Sequence, residues 1–332
     1  NKVTMRNQII MDPDIDKPVV FYQLDDGGDK YVYSRSININ GNGSNDPQAS
    51  TQGASLPFGS SIHDGDWDVC YDTNANIFVF VFRNPNDSDK ACVRLGYQSE
   101  PATGQHKIVW ISTNFVLDSG DSGYPRCEFD TVNNKVIFCW GGDAESEIRA
   151  AIGTVSNSGS SATISFGSHV VVNSDNIQKP RMAWHTDSGQ AGFLYQDTTD
   201  NWNKLVTLKT SGTTVHYTAA TRVGTDNKDA LSLWYASGVK TLRAGIKGKY
   251  FYISSMGSAA SGGANGGATA PTVASGSLNV ANSVGGTFND YEPNYGFDLP
   301  DHPLHTGLIN IVGSSSNRVK LYTFTVGEAV SN

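Results

Sequence analysis

The sequence predicts an all-β protein, specifically a six-bladed β-propeller of four-stranded antiparallel blades. Residues 125–173 contain four short runs rich in Val, Ile, Phe and Trp, separated by the turn sequences Asn-Asn, Gly-Gly and Asn-Ser-Gly. Such residues on a two-residue period favour strands, and such turns favour hairpins. Four strands in about fifty residues match the size of one propeller blade.

The same unit recurs along the chain, which is the second observation behind the propeller prediction. Its first strand ends in a large apolar residue, a polar residue and a turn, as in PRCEFD at 125–130, PRMAWH at 180–185 and PNYGFD at 293–298. The strand-end markers are Asp12, Asp72, Asp130, His185, Tyr235 and Asp298, spaced 50 to 63 residues apart. Six copies of a four-stranded unit predict six blades.

The chain is predicted to form a single propeller domain, because each blade buries its faces only against its neighbours. The six blades are expected at residues 7–64, 65–121, 122–176, 177–227, 228–288 and 289–332. The last blade offers only three predicted strands, at 294–297, 306–312 and 319–326. Residues 1–6 are predicted to supply its fourth strand and close the ring, which would remove an exposed edge.

Within the other blades, each predicted strand is a short apolar or alternating run, and each break is rich in Gly, Asn, Asp or Ser. The strands predicted for the first and second blades are 8–11, 18–24, 30–38, 55–62, 68–71, 77–83, 91–97 and 107–117. Those predicted for the fourth and fifth blades are 181–184, 191–196, 204–210, 214–223, 231–235, 240–246, 250–255 and 278–283.

Composition narrows the function classes. The 332 residues carry a formal charge of −8 with 17% charged residues and show no Lys/Arg cluster, which argues against nucleic acid as a partner. No apolar run approaches the roughly 20 residues of a membrane span, so no membrane insertion is expected. The cysteines, Cys70, Cys92, Cys127 and Cys139, form no CxxC pair and are expected to be buried thiols.

No catalytic residue, metal site or cofactor is predicted. The repeated Asp12, Asp72 and Asp130 each open a turn, where an aspartate bonds backbone amides two residues further on. Catalysis needs acids in contrasting environments, and the repeats offer near-equivalent ones. Acidic residues in the second-to-third-strand loops, such as Asp89 and Glu145, are expected to be solvated hairpin turns that lack calcium-ligand spacing.

The predicted contact site rests on aromatic residues in polar loops. Trp202 lies between Asn201 and Asn203, where a large ring is hard to bury and suits sugar stacking or a protein contact. Tyr291 and Tyr295, in the loop between the fifth and sixth blades, form a second such candidate. Trp140, Trp184 and Trp234 fall on predicted strands and are expected in the core.

Three motifs in the third blade carry a family resemblance. They are DTVNNKVI at 130–137, AAIGTV at 150–155 and ISFGSHVVVN at 164–173, with a weaker echo in LPFG at 56–59. These segments resemble blade repeats in tail-fibre and other virion structural proteins of marine and cyanobacterial phages. The resemblance implies a virion surface component and carries over no catalytic residues.

The function expected from the sequence is therefore a non-enzymatic virion surface module outside the cell, part of a larger assembly. Its partner would be a host surface glycan or protein, or a neighbouring virion subunit. One alternative is a secreted carbohydrate-active propeller enzyme, which would show a unique acid pair. Another is a bacterial adhesin or extracellular filament subunit.

Overall fold

A computed structural model shows an all-β propeller fold of antiparallel blades. It describes residues 2–14, 17–26, 29–36, 54–55, 62–63, 65–102, 105–224, 231–236, 240–246, 249–263, 267–276, 296–298, 306–313 and 319–326. The chain divides into two compact units, Asn1–Val171 and Val172–Asn332. The prediction of a single domain is not decided by this division.

The first unit contains three sheets, in each of which the first four strands pair in chain order. The first sheet consists of β1 (Lys2–Asp12), β2 (Lys17–Asp26), β3 (Asp29–Ser36) and β4 (Ala54–Ser55). The second consists of β5 (Trp67–Asp72), β6 (Ile77–Asn84), β7 (Lys90–Ala102), β8 (Gln105–Trp110) and β9 (Phe115–Asp121), with β9 also paired to β7. The third consists of β10 (Gly123–Asp130), β11 (Lys135–Gly142), β12 (Glu147–Ser156), β13 (Thr163–Phe166) and β14 (Val170–Asn173), with a short 3-10 turn at Gly159–Ser161.

The second unit repeats this pattern. Its first sheet consists of β15 (Ile177–His185), β16 (Gln190–Asp197), β17 (Asn203–Ser211), β18 (Thr214–Tyr217) and β19 (Thr221–Arg222). The next consists of β20 (Leu231–Ala236), β21 (Thr241–Ile246), β22 (Lys249–Ser255) and β23 (Thr272–Gly276). The last consists of β24 (Gly296–Asp298), β25 (Thr306–Gly313) and β26 (Val319–Val326).

The predicted number of blades and the predicted ring closure were wrong. Five sheets have four or five strands and are complete blades, whereas the described part of the last sheet has three. Residues 1–6 were expected to complete that sheet, but Lys2 and Val3 pair with Asp25 and Leu24 of β2. The reason is that β2 continues to Asp26, so the first hairpin is long enough to pair β1 almost from its start.

Apolar faces of neighbouring sheets pack against each other within each unit. In the first unit, Phe21 of β2 packs with Phe78 and Phe80 of β6, and Val81 of β6 shares a second cluster with Phe138 of β11. Strands β6 and β11 are buried on both faces, which explains their nearly continuous apolar sequences. In the second unit, a comparable cluster joins β16 and β17 to β20, β21 and β22.

The repeated aspartates have the predicted turn role. One oxygen of Asp72 accepts hydrogen bonds from the amides of Asn74 and Ala75, and Asp130 accepts from those of Val132 and Asn133. His185 takes the same role, because its Nδ1 accepts from the Ser188 amide at 3.1 Å. The repeat is therefore a turn-capping position that either side chain can fill.

A second repeated contact joins the first strands of neighbouring blades. The Gln8 amide bonds both the backbone oxygen and the backbone nitrogen of Val69, at 2.7 and 3.2 Å. One blade further on, the Asp68 carboxylate accepts from the Cys127 amide at 3.1 Å. These side chains bond the edge of the next blade's first strand that is not paired with another strand in the described part of the chain, so Asp68 has a structural role.

Other predictions have mixed outcomes. Trp140, Trp184 and Trp234 are buried, and the four cysteines are buried free thiols. The fourth strand of the fifth blade lies at Thr272–Gly276, and the predicted 278–283 falls outside the described residues. No helix in the described part of the chain has the length and apolar character needed to cross a membrane.

Candidate functional site

One guanidinium in the first unit contacts four carboxylates. Arg83 Nη1 lies 3.2 Å from Glu145 and 3.5 Å from Asp66, and Nη2 lies 3.1 Å from Asp121 and 3.3 Å from Asp89. His63 extends the group, with its Nε2 atom 2.8 Å from the other oxygen of Asp89. These six residues are called the Arg83 cluster below.

The cluster forms where strand ends of the second and third blades meet. Arg83 lies near the end of β6, and its amide donates to the Asp66 carbonyl at 2.9 Å, just before β5. The Ser122 amide donates to the Asp89 carbonyl at 3.0 Å, and the Ala144 amide donates to the Asp121 carbonyl at 3.2 Å. The backbone of three connections is thus tied together, and their side chains face one cation.

The loop that carries Glu145 has an unusual backbone. Asp143, Ala144 and Glu145 all have positive φ, at 47°, 55° and 72°. Positive φ is uncommon for residues with a Cβ, and such strain concentrates at functional sites. In this backbone conformation, the β11–β12 turn carries the Glu145 side chain into contact with Arg83.

The start of β10 is irregular beside this loop. The pairing of β10 with β11 shifts between Gly123 and Arg126, and Tyr124 between them has a φ of 52°. Bulges of this kind re-aim side chains and are frequent next to active sites. Burial raises the pKa of the Tyr124 hydroxyl, with the charges of Glu145 and Asp66 adding to it.

The charge of the cluster is unbalanced. Four carboxylates face one guanidinium, which leaves a net −3 when His63 is uncharged and Glu145 is ionised. Burial and then the nearby Asp66 raise the pKa of Glu145, and Arg83 only partly offsets them. Burial lowers the pKa of Arg83, but its four acidic partners outweigh this and raise it. The protonated form of Glu145 is therefore favoured more than that of an ordinary glutamate.

The acids of the cluster are also unequal in exposure. The Asp66 side chain is 5% exposed and that of Asp121 is 47% exposed, with Glu145 between them at 29%. The carboxyl groups of Glu145 and Asp121 can therefore both reach a molecule in solvent, and they differ in burial. Proton-transfer chemistry requires acids in contrasting environments of this kind.

Metal ligation has little support here. Among the residues that the structure describes, no group of three or more His, Cys, Asp or Glu side chains is arranged to hold a metal ion. In the Arg83 cluster, the guanidinium occupies the position between the carboxylates that a cation would take.

The predicted contact residues lie in the second unit or outside the described residues. Trp202 is half-buried, and the Arg222 guanidinium lies 4.7 Å from its ring centre. Asn201 is exposed with a φ of 59°, whereas Asn203 is fully buried at the start of β17. Tyr291 and Tyr295 lie outside the described residues. A role of these residues in partner contact stays a prediction.

Sequence reasoning missed the Arg83 cluster because it treated the acidic loops separately. Asp89 and Glu145 were interpreted as solvated turns, but both contact Arg83. The available signal was Arg83 itself, a charged residue at the end of the otherwise apolar run IFVFVFRN. A lone cation beside several acidic hairpins would have pointed to a shared ion-pair network.

No protein-family model and no curated protein matches the chain. One similar solved structure is an exo-beta-1,3-galactanase from Phanerochaete chrysosporium with galactose, at 11% identity and a TM-score of 0.44, covering 77% of this chain and 58% of that chain. Another is a variant of that enzyme with beta-1,3-galactotriose, at 12% identity and a TM-score of 0.39, covering 76% and 56%. This chain thus spans less than two thirds of the length of either.

The comparisons correct one expectation and leave another untested. Both solved structures are of an enzyme, which contradicts the prediction that the protein is not one, and that prediction is withdrawn. The resemblance to phage tail-fibre proteins stays a prediction, since no family model or curated match bears on it.

Proposed function

We propose that this protein is a carbohydrate-active propeller enzyme whose acid catalyst is Glu145. The observation that carries the proposal is a solvent-accessible carboxyl, held by a strained turn and 3.2 Å from a guanidinium, among three further carboxylates. Glycoside hydrolysis uses two acids of opposite protonation, one to protonate the leaving oxygen and one to activate water or attack the sugar.

The roles follow from exposure and charge. Glu145, whose pKa is raised by burial and by Asp66, donates the proton to the glycosidic oxygen. Asp121, the most exposed acid of the cluster, accepts a proton from the attacking water. Arg83 contacts both carboxyls, through Nη1 and Nη2, and so fixes their relative position. Asp66 is buried and acts on Glu145 through its charge.

The charge of the site indicates the substrate class. With four carboxylates and one guanidinium, the cluster repels uronate and sulfated sugars and favours neutral or amino sugars. Carboxylate and guanidinium groups also suit hydrogen bonding to sugar hydroxyls. The proposed substrate is thus a neutral or cationic polysaccharide.

The test is a hydrolysis screen over a charge series of polysaccharides: neutral beta-linked galactans and glucans, chitosan, and polyuronates, with released reducing ends as the readout. The proposal expects turnover within the first two groups. Glu145→Gln is expected to lower the rate by a factor of about 10² to 10⁴, the usual contribution of a general acid.

Asp143→Asn is the matched control, because Asp143 lies in the same left-handed turn but outside the cluster. It is expected to keep nearly full activity. Turnover that survives Glu145→Gln, or that is lost equally in Asp143→Asn, would contradict the role of Glu145. Absence of turnover across the whole series would contradict the enzymatic proposal.

The attachment expected from the sequence becomes part of this proposal. We infer that the substrate glycan lies on a host surface, that the protein works outside the cell as part of a virion, and that Trp202 separately contacts a glycan or protein of that surface. The observation that favours Trp202 is that its ring is only half-buried beside Arg222, since aromatic rings supply sugar contact area at little conformational cost. Binding of the chain to intact host cells, compared with binding to cells stripped of surface glycan, tests this.

A further inference from the structure

Gly123, at the start of β10, lies against the Glu145 side chain. A methyl group at this position would overlap the Glu145 carboxyl group, lying 2.6 Å from Cγ and 2.7 Å from Cδ. Carbon atoms in contact normally stay at least 3.4 Å apart. The Glu145 carboxyl is therefore seated directly on the backbone of residue 123, in space that any side chain would fill.

The backbone gives no other reason for glycine here. Gly123 does not have a positive φ; the left-handed residue of the bulge is Tyr124. The second unit contains the same bulge, with Gln178, Lys179, Pro180 and Arg181 in place of residues 123–126, and Lys179 left-handed at 49°. Gln178 occupies the position of Gly123 there and is exposed. A bulge of this type thus accepts a side chain at its first residue.

We propose that Gly123 is the positioning residue for Glu145: its missing side chain lets the carboxyl sit against β10 and within reach of Arg83. Only the catalytic consequence of this contact rests on the proposed function. The contact between Gly123 and Glu145 exists in the protein without substrate. Two contacts thus hold the Glu145 carboxyl, the ion pair with Arg83 and the close approach to the backbone of Gly123.

The test substitutes Gly123→Ala. The overlapping atoms belong to the end of a flexible side chain, so the carboxyl is expected to rotate away while the fold persists. Because burial is the largest cause of the raised Glu145 pKa, the pKa should fall toward the ordinary value of a glutamate. The readout is the pH titration of the Glu145 carboxyl carbon by NMR, assigned with Glu145→Gln, together with circular dichroism to confirm the fold.

Two further variants make the result specific. Gly120→Ala is the matched control, because a methyl there has only ordinary contacts, the nearest at 3.6 Å, and it should leave the titration unchanged. Glu145→Asp in the Gly123→Ala background shortens the acid by one methylene and should restore a raised pKa. An unchanged Glu145 titration in Gly123→Ala, or the same change in Gly120→Ala, would overturn the proposal.

This titration needs no substrate, so it stands apart from the enzymatic proposal. If turnover is found, Gly123→Ala should also lower kcat by at least tenfold with little change in KM. The double variant with Gly123→Ala and Glu145→Asp should recover part of the lost kcat. Full kcat in Gly123→Ala would overturn the positioning role. If no polysaccharide is hydrolysed, the titration alone decides whether Gly123 seats Glu145.

Discussion

Each of the two units contains a cation surrounded by carboxylates, and the two clusters differ in their balance of charges. In the first unit, Arg83 near the end of β6 faces four carboxylates. In the second, Lys204 near the start of β17 faces Asp175 at 3.3 Å, Asp197 at 2.6 Å and Asp200 at 3.1 Å. Both clusters lie at the hairpin between the second and third strands of a blade, next to the bulged start of a first strand.

The Lys204 cluster is nearly neutralised, and the Arg83 cluster is not. Arg222 also contacts Asp200, so two cations face three carboxylates, and Tyr195 and Asn173 donate to Asp175 as well. Burial lowers the pKa of Lys204, but the carboxylates around it raise it overall. In the first unit, burial and then the surplus of acids raise the pKa of Glu145. The difference teaches that a hairpin of this kind is a structural clamp when its charges balance, whereas an unbalanced one keeps an acid with a raised pKa, which is the basis of the proposed catalysis.

The largest expected effect is on the structural clamp. Lys204→Met leaves Asp197, only 3% exposed, without its closest cation. Removing one partner of a buried ion pair costs about 3–5 kcal/mol, and the free energy of unfolding should fall by that amount in urea denaturation at pH 7. Lys209→Met, on the exposed face of β17, is the control and should change stability little. A small loss in Lys204→Met would mean that the clamp is not structural.

Removal of the cation from the Arg83 cluster is expected to lower the free energy of unfolding, and to lower it less at acidic pH than at pH 7. Arg83→Met leaves four carboxylates that repel one another, and we expect a loss of about 2–3 kcal/mol at pH 7, below the buried-pair range because Asp89 and Asp121 are partly exposed. Repulsion holds a folded-state pKa above its unfolded value, so the missing stability should return as pH falls toward 4. A deficit independent of pH would contradict the charge surplus.

Trp202→Ala is expected to weaken binding of the protein to immobilised neutral polysaccharide by about 1–3 kcal/mol, as for a modest hot spot. Folding should persist, since the Arg222 contact contributes only about 0.5–1 kcal/mol at an exposed site. Trp202→Phe keeps an aromatic ring and should retain most of the binding. Full binding by Trp202→Ala would remove this residue from the proposed contact surface.

The smallest expected effect is that of the Glu145 carboxyl on the stability of the protein. A group with a raised folded-state pKa contributes stability below its ordinary pKa of 4.5 and loses it as pH rises through the folded value. Glu145→Gln should therefore be more stable than the native chain at pH 7, by about 0.5–1 kcal/mol, and lose this advantage near pH 4. Thermal unfolding at the two pH values measures the difference. A variant less stable at pH 7 would show that the carboxylate is a net stabiliser.

Most strands could be predicted from the sequence because the strands of each blade are consecutive in the chain and pair with their sequence neighbours. Runs such as KVIFCWGG at β11 and QAGFLYQD at β16 lie between recognisable turns, and the Asp12, Asp72 and Asp130 caps mark the repeat. The prediction for the N-terminal strand failed because the residue pattern does not show how far a hairpin extends. The pairing of β1 with β2 continues to Lys2, which left residues 1–6 unable to join the last sheet.

The candidate site was harder to predict because it is assembled from distant residues. Asp66, Arg83, Asp121 and Glu145 come from four separate segments of the chain, and only blade packing brings them together. Hairpin acids are common for turn reasons alone, so their residue types carry little signal. The strain at Ala144 and the contact between Gly123 and Glu145 depend on backbone angles and on space, which no residue pattern displays.

The most direct test of the central claim is the pH titration of the Glu145 carboxyl in the native protein. Carbon-13 labelling of glutamate side chains, with Glu145→Gln to assign the resonance, gives its pKa without any substrate. The burial of Glu145 and then the charge surplus of the Arg83 cluster predict a pKa above the ordinary glutamate value of 4.5. A pKa at or below that value would mean that Arg83 neutralises the cluster, and the proposed proton donor would be lost.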